Sequence, residues 1–441
     1  MERTIYTQLL EWKDSHERKP LILLGARQVG KTYVLKQFGE REFGNMVYVN
    51  CHNNEFATNL FMDFDIDRIL YQISVYTGQK IISGETLLFF DEIQEVHNGI
   101  ASLKYFCEDR RELHVAAAGS LLGISLKEDE SFPVGKVNLL KMFPMTFLEF
   151  LIASGRKELA EVIINLDYST MRLLHGECTE KLRQYFFTGG MPEAVSTWLQ
   201  THDPKAVRKI HAEILEAYYM DFAKHTKTMV RHIRMVWDSI PAQLAKENKK
   251  FIFGLVKKGA RAAQFGEALQ WLVDAGLVIR VSRCSVPRQP LKFYMDSSAF
   301  KIYLLDCGLL ATLCETEPAD ILLGSKAFVE FKGAFAENYV LQQMTAKQNM
   351  PVYYYSKDNS TQEIDFLVQM PERVLPIEVK AEENVKSKSL STFINEDFKE
   401  LNLKGLRCSM KSYIDQGWME NIPLYAIEAY VGEKQIHRMK N

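Results

Sequence analysis

The segment Gly25-Ala26-Arg27-Gln28-Val29-Gly30-Lys31-Thr32 limits what this chain can fold into more than any other. It fits GxxxxGK[ST], stands directly after the apolar run LILLG (21–25) and directly before a helical stretch, which is the context the pattern requires. At average residue frequencies the pattern arises by chance in roughly one or two per cent of chains this long, before the strand and helix are demanded. Glycines let the loop turn until backbone N–H groups converge on phosphate oxygens, and the following helix presents its positive end. Gly25, Gly30, Lys31 and Thr32 are therefore expected to hold the phosphates of a nucleotide, with Lys31 bridging the β and γ phosphates and the Thr32 hydroxyl offered to Mg²⁺.

Around this loop, LILLG, MVYVN (46–50), TLLFFD (86–91) and LHVAAAG (113–119) read as strands, separated by helix-like stretches such as Lys31 to Phe38 and Ile100 to Arg110. That rhythm predicts an α/β module with a parallel sheet covered on both faces. TLLFFD runs into Asp91-Glu92, and a carboxylate at the carboxyl end of a buried parallel strand points into the crevice that holds the phosphates. Asp91 is expected to hold Mg²⁺ or its water, and Glu92 to polarise the attacking water. Ser120 reaches the same edge, either as a γ-phosphate sensor or as an ordinary helix cap.

At 441 residues the chain has room for about three domains. The expected division is 1–155 for the phosphate-loop module, 156–228 for a helical region, 229–315 for a winged-helix-like domain and 316–441 for a C-terminal domain. With 47% apolar and 25% charged residues, the composition excludes disordered and collagenous classes. No apolar run is long enough for a bilayer, and the seven cysteines show no CxxC spacing, so the expectation is a cytoplasmic protein without membrane or disulfide framework. The ten histidines form no HxxxH or HExxH pair, which leaves no zinc motif. The formal charge of -2 hides an asymmetry: 205–261 carries 13 basic and five acidic residues, a stretch suited to a polyanion such as nucleic acid, or simply to solvated helix faces.

GARQVGKT, LLFFDEIQEV, the AAGS strand end, FPMTFLEFL (143–151) and FFTGGMPEAV (186–195) together resemble the prokaryotic AAA-type ATPase family with a C-terminal DUF4143 region. The resemblance spans nearly the whole chain. It implies ATP hydrolysis with Lys31 and Thr32 on phosphate and Mg²⁺, Asp91 as the Walker B acid, Glu92 as the hydrolytic glutamate and Ser120 as first sensor. The ring assembly usual for AAA proteins would make a homo-oligomer. One position departs from the family: Gly135-Lys136 stands where a Gly-Arg pair is usual, and lysine cannot copy the planar fork with which arginine steadies γ-phosphate charge. Arg110 or Arg111 could serve instead, and slow turnover is the other consequence.

Helical periodicity through Ala260 to Ala275 ends at Gly276, and LVIRVS and LKFYM then alternate around Cys284 to Pro290, so a winged helix is expected, with Lys257, Lys258 and Arg261 just ahead of its recognition helix. Further on, Glu337 falls in a helix, Asp365 in the strand EIDFLVQ, and Glu378 and Lys380 on one face of VLPIEVKA. If the two strands pair, Asp365 and Glu378 can hold a second Mg²⁺ or Mn²⁺ with Glu337 near by, while Lys380 positions a water. This is the order of the PD-(D/E)xK nuclease-like fold that DUF4143 regions resemble, a restriction-endonuclease-like α/β domain. A nuclease gated by the ATP cycle is one reading. The others are an ion-paired strand face, and an ATP-dependent switch that binds a protein or DNA partner and cleaves nothing.

Overall fold

The computed structural model describes residues 1–120, 132–223, 226–246, 249–324, 329–347, 350–358, 360–381 and 387–436. Within the basic stretch, Lys224 and Glu247 lie outside the described residues. Residues 2–143, with 274–276, form one compact unit, and 144–273 with 277–441 form another.

In the first unit, β1 (Leu21–Gly25), β2 (Asn45–Asn50), β3 (Thr86–Asp91), β4 (His114–Ser120) and β5 (Asn138–Lys141) form one parallel sheet in the order β2-β3-β4-β1-β5. The first four are the strands expected from their apolar runs. The fifth was not legible, because its exposure alternates over only four residues. Every residue of β1, β3 and β4 is buried, as central strands with helices on both faces must be. Those helices are α1 (Ile5–Asp14), α2 (Lys31–Glu42), α3 (Glu55–Leu60), α4 (Ile66–Thr77) and α5 (Gly99–Asp109). On one face Ile22, Leu24, Val47, Leu88 and Phe90 pack with Phe61, Ile69, Leu103 and Phe106. Each such side chain contributes about 1.5–3 kcal/mol by leaving water, which fixes the strand ends that carry the polar residues. The register sets Gly25 beside Ser120, and Asp91 beside Ala118.

The second unit begins with helices, as expected: Phe147–Ala153, Lys157–Ile164, Tyr168–Leu173, His175–Thr188, Pro192–Thr201 and Pro204–Phe222. The break at Gly189-Gly190 has a steric cause. A Cβ on Gly189 would meet Asp306 Oδ1 at 2.0 Å and one on Gly190 would meet the Met145 carbonyl at 2.0 Å, while the buried Asp306 accepts the Gly190 N–H at 2.6 Å. The same carboxylate caps the helix Cys307–Leu313 through the Leu309 N–H, so the segment 300–310 is a structural joint.

The remaining strands make one mixed sheet of eight. β6 (Val278–Cys284), the first of the two expected strands, forms a hairpin with β7 (Met295–Leu304), and β8 (Val352–Ser356), β9 (Glu363–Gln369), β10 (Val374–Val379), β11 (Gly405–Ser409), β12 (Ile414–Asp415) and β13 (Met419–Pro423) complete the order β12-β13-β11-β10-β9-β8-β6-β7. Three details differ from the sequence reading. LKFYM is not a strand: Leu291–Tyr294 turns as a 3₁₀ helix because Leu291 is buried in a core with Tyr353, Leu367 and Val374, and β7 starts at Met295. The line drawn at 315 cuts through a sheet, since β6 pairs in parallel with β8 through Ser282 and Tyr353. The line at 155 also moves: Phe147 and Phe150 pack edge-on against Tyr185, so 144–155 belongs to the second unit.

Candidate active site

The phosphate loop leaves β1 at Gly25, where no side chain fits: a Cβ there would lie 2.4 Å from the Met142 carbonyl. Gln28 and Gly30 both take the left-handed conformation, at φ 64° and 97°, which rotates the peptides between them before α2 begins at Lys31. Lys31 is buried, and its ammonium donates to the carbonyls of Gly25 at 3.0 Å and Ala26 at 2.9 Å. Burial lowers its pKa to about 8, against an upward pull from the Glu92 and Asp91 carboxylates.

Asp91, at the end of β3, accepts from the Thr32 hydroxyl at 3.1 Å and from the Tyr48 hydroxyl at 3.0 Å. Its pKa is raised, chiefly by burial, with both hydroxyl bonds opposing. The Thr32 hydroxyl and the Asp91 carboxylate thus converge as hard oxygen donors, the chemistry Mg²⁺ prefers. Tyr48 was not anticipated; its place in β2, beside Phe89 of β3, is set by strand pairing rather than by any motif. Glu92 follows in a left-handed conformation at φ 53°, which costs a non-glycine residue about 1 kcal/mol, and the Gln94 amide donates to its carboxylate. Ser120 ends β4 buried, between the strand of the loop and the strand of the acids. The sheet therefore gathers Lys31, Thr32, Asp91, Glu92 and Ser120 along one edge.

The basic residues weighed for γ-phosphate charge stand elsewhere. Arg110 and Arg111 precede β4 and Lys136 precedes β5, at the amino ends of parallel strands whose carboxyl ends face the loop. The seven residues of β4 span about 23 Å, so Arg110 and Arg111 do not reach a phosphate held by their own loop, and the four residues of β5 set Lys136 back by about 13 Å. Lys136 is paired with Glu108 at 2.7 Å, and Arg110 with Asp67.

In the second unit the four C-terminal site residues do come together, in company the sequence reading did not foresee. Glu337, buried on the helix Val329–Thr345, accepts from the Lys249 ammonium and from the Tyr303 hydroxyl at 3.0 Å. Burial raises its pKa, but the charges of Lys249 and Lys301 and the two hydrogen bonds bring it below the usual carboxylate value. Lys301, wholly buried, pairs with Glu363. Asp365 accepts the Val379 N–H at 2.7 Å, and burial together with the Glu337 charge pushes its pKa up to about 7. Lys380 lies 3.2 Å from Glu378 Oε1, and Glu378 Oε2 is buried with no hydrogen-bond partner among the described residues. Lys249 thus sits on Glu337, one of the acids expected to gather around a cation, and Lys301 on the neighbouring Glu363. Among the described residues, no group of three or more His, Cys, Asp or Glu is disposed to hold a metal ion.

Of the basic stretch, Lys257, Lys258 and Arg261 are exposed ahead of the helix Ala262–Asp274, and Lys227, Arg231 and Arg234 line the exposed face of the helix Lys227–Asp238. Arg208 and Lys249 instead turn inward, Arg208 onto Thr312 and the Thr316 carbonyl. No helix among the described residues is long and apolar enough to cross a membrane.

Comparison with known sequences matches residues 17–151 to an AAA domain (AAA_14), 179–320 to a domain of unknown function (DUF8612) and 332–427 to another domain of unknown function (DUF4143). No curated protein matches. Among solved structures, similarity is found to the Aeropyrum pernix Orc1 protein in complex with DNA, at 13% identity over 71% of this chain and 90% of that one, with a TM-score of 0.27. It is also found to Cdc6p from Pyrobaculum aerophilum, at 12% identity over 74% and 96%, with a TM-score of 0.26. The match to an AAA domain over 17–151 encloses every residue of the phosphate-loop crevice.

Proposed function

We propose that the first unit binds Mg²⁺·ATP and hydrolyses it, and that the nucleotide cycle governs contact with a nucleic acid made by the second. The observation that carries the first part is the convergence of Thr32 on Asp91 at 3.1 Å beside the buried Lys31. Thr32 and Asp91 would hold Mg²⁺, which screens phosphate charge when bound. Lys31 would leave its two carbonyl partners for the β and γ oxygens, Glu92 would orient and deprotonate the attacking water, and Ser120 would hydrogen-bond the γ-phosphate. Lys31→Ala should abolish ATP binding, and Glu92→Gln should keep binding and stop turnover. Normal hydrolysis by either variant would remove the assignment.

The helices Lys227–Asp238, Phe253–Val256 and Ala262–Asp274 followed by the β6–β7 hairpin support a winged-helix reading, and the Phe251 N–H bonded to the Phe300 carbonyl at 2.8 Å adds the short strand contact of such a fold. Exposed Lys257, Lys258 and Arg261 would then contact backbone phosphates. For the C-terminal domain, the pairing of Glu337 with Lys249 and of Glu363 with Lys301 favours a binding platform that cleaves nothing over a metal-dependent nuclease. Incubating wild type and Asp365→Ala with labelled DNA in Mg²⁺ or Mn²⁺ tests this directly. Cleavage by wild type alone would restore the nuclease.

A further inference from the structure

Two left-handed residues leave the Val29 peptide in an unusual position. The first intrahelical bond of α2 runs from the Val34 N–H to the Gly30 carbonyl, so the Val29 carbonyl stands just outside the helical ladder. It is met by Arg3, from the turn ahead of α1, whose Nη1 donates to it at 2.9 Å. Nη2 of the same guanidinium donates to the Phe143 carbonyl at 2.6 Å. Phe143 lies two residues past β5, next to Met142, whose carbonyl presses on Gly25 and whose N–H bonds the Leu24 carbonyl at 2.7 Å.

We propose that Arg3 is a positioning residue of the nucleotide site: its planar fork ties the back of the phosphate loop to the exit of β5, holding the loop's N–H groups in the orientation that receives phosphate. The inference rests on the ATPase reading above and goes beyond it, because Arg3 lies outside the matched AAA segment and bonds backbone carbonyls behind the loop. A guanidinium suits the task because two of its N–H groups reach two carbonyls at once from one plane, whereas an ammonium has no such fork. Gly25 meets the Met142 carbonyl and Val29 meets Arg3, so the loop is fixed from behind at both ends of its turn. A loop released from Arg3 would sample orientations in which its amides diverge, and phosphate binding would have to order it again.

The test compares wild type, Arg3→Ala, Arg3→Lys and Tyr6→Phe, measuring the dissociation constant of a fluorescent ATP analogue with Mg²⁺, steady-state KM and kcat, and the thermal midpoint. Tyr6 fastens the same helix through its hydroxyl to Glu42 at 2.7 Å without touching the loop, so it reports what loosening α1 does on its own. Arg3→Ala is expected to weaken nucleotide binding about tenfold, in line with lost hydrogen bonds from a charged donor. The loss should show in KM more than in kcat, Arg3→Lys should recover part of it, and Tyr6→Phe should bind as wild type does. Binding by Arg3→Ala within twofold of wild type, or an equal loss in Tyr6→Phe, would overturn the proposal. Failure of wild type itself to bind the analogue would overturn the ATPase reading and this inference with it.

Discussion

The Lys249–Glu337 pair offers a sharp test of how the C-terminal acids are held. Lys249 sits in a left-handed conformation at φ 43°, and the side chains of the pair are 12% and 6% exposed. Removing one partner from such a buried pair costs about 3–5 kcal/mol, because the other charge is left in poor solvent. Lys249→Met should fall at the low end, about 3 kcal/mol, since the Tyr303 hydroxyl and the nearby Lys301 charge still serve Glu337. At roughly 2 °C per kcal/mol for a unit of this size, the midpoint should drop on the order of 6 °C. Glu337→Gln should cost no more, because Lys249 keeps the charges of Asp365 and Glu363 near it. In a double-mutant cycle followed by thermal or urea denaturation, the double variant should be less destabilised than the sum of the singles by about 2 kcal/mol. The pH dependence has a definite sign. Glu337 has a folded pKa below its ordinary 4.5, so its contribution is complete above that value and is lost as pH falls through the lower folded one. The gap between wild type and Lys249→Met should therefore be full at pH 7 and narrow in acid below 4.5. Single variants each within about 1 kcal/mol of wild type, and additive, would show that the pair behaves as a surface ion pair and refute the reasoning.

Two further outcomes follow from the charge distribution. Because burial lowers the Lys31 pKa to about 8, ATP binding at pH 8.5 should take up about three quarters of a proton as phosphate restores the ammonium, and about a tenth at pH 7. Calorimetry in buffers of different ionisation enthalpy reads this directly, and buffer-independent heats at pH 8.5 would contradict it. Changing Lys257, Lys258 and Arg261 to Glu should weaken DNA binding and flatten its salt dependence by about three phosphate contacts; an unchanged affinity and slope would remove the nucleic-acid assignment.

The parts legible in the sequence are those whose physics is local. The phosphate loop is eight consecutive residues between an apolar strand and a helix, and its two glycines answer to the Met142 carbonyl and to a φ of 97°. LILLG, TLLFFD and LHVAAAG declare buried strands because a continuous apolar run this short suits a strand better than a buried helix, and Asp91 and Glu92 follow because they end one of them. What tertiary structure decided is every partnership across chain distance. Arg3 meets Val29 and Phe143, Tyr48 meets Asp91, and Lys249 meets Glu337, 88 residues away, none of them at a spacing that announces the contact. The same holds for β6 pairing with β8, which joins the hairpin to the C-terminal sheet, and for Arg110, Arg111 and Lys136, whose separation from the phosphates is a matter of strand direction. A run of residues fixes its own conformation and the face it must bury; which side chain then neutralises which depends on where the other elements arrive.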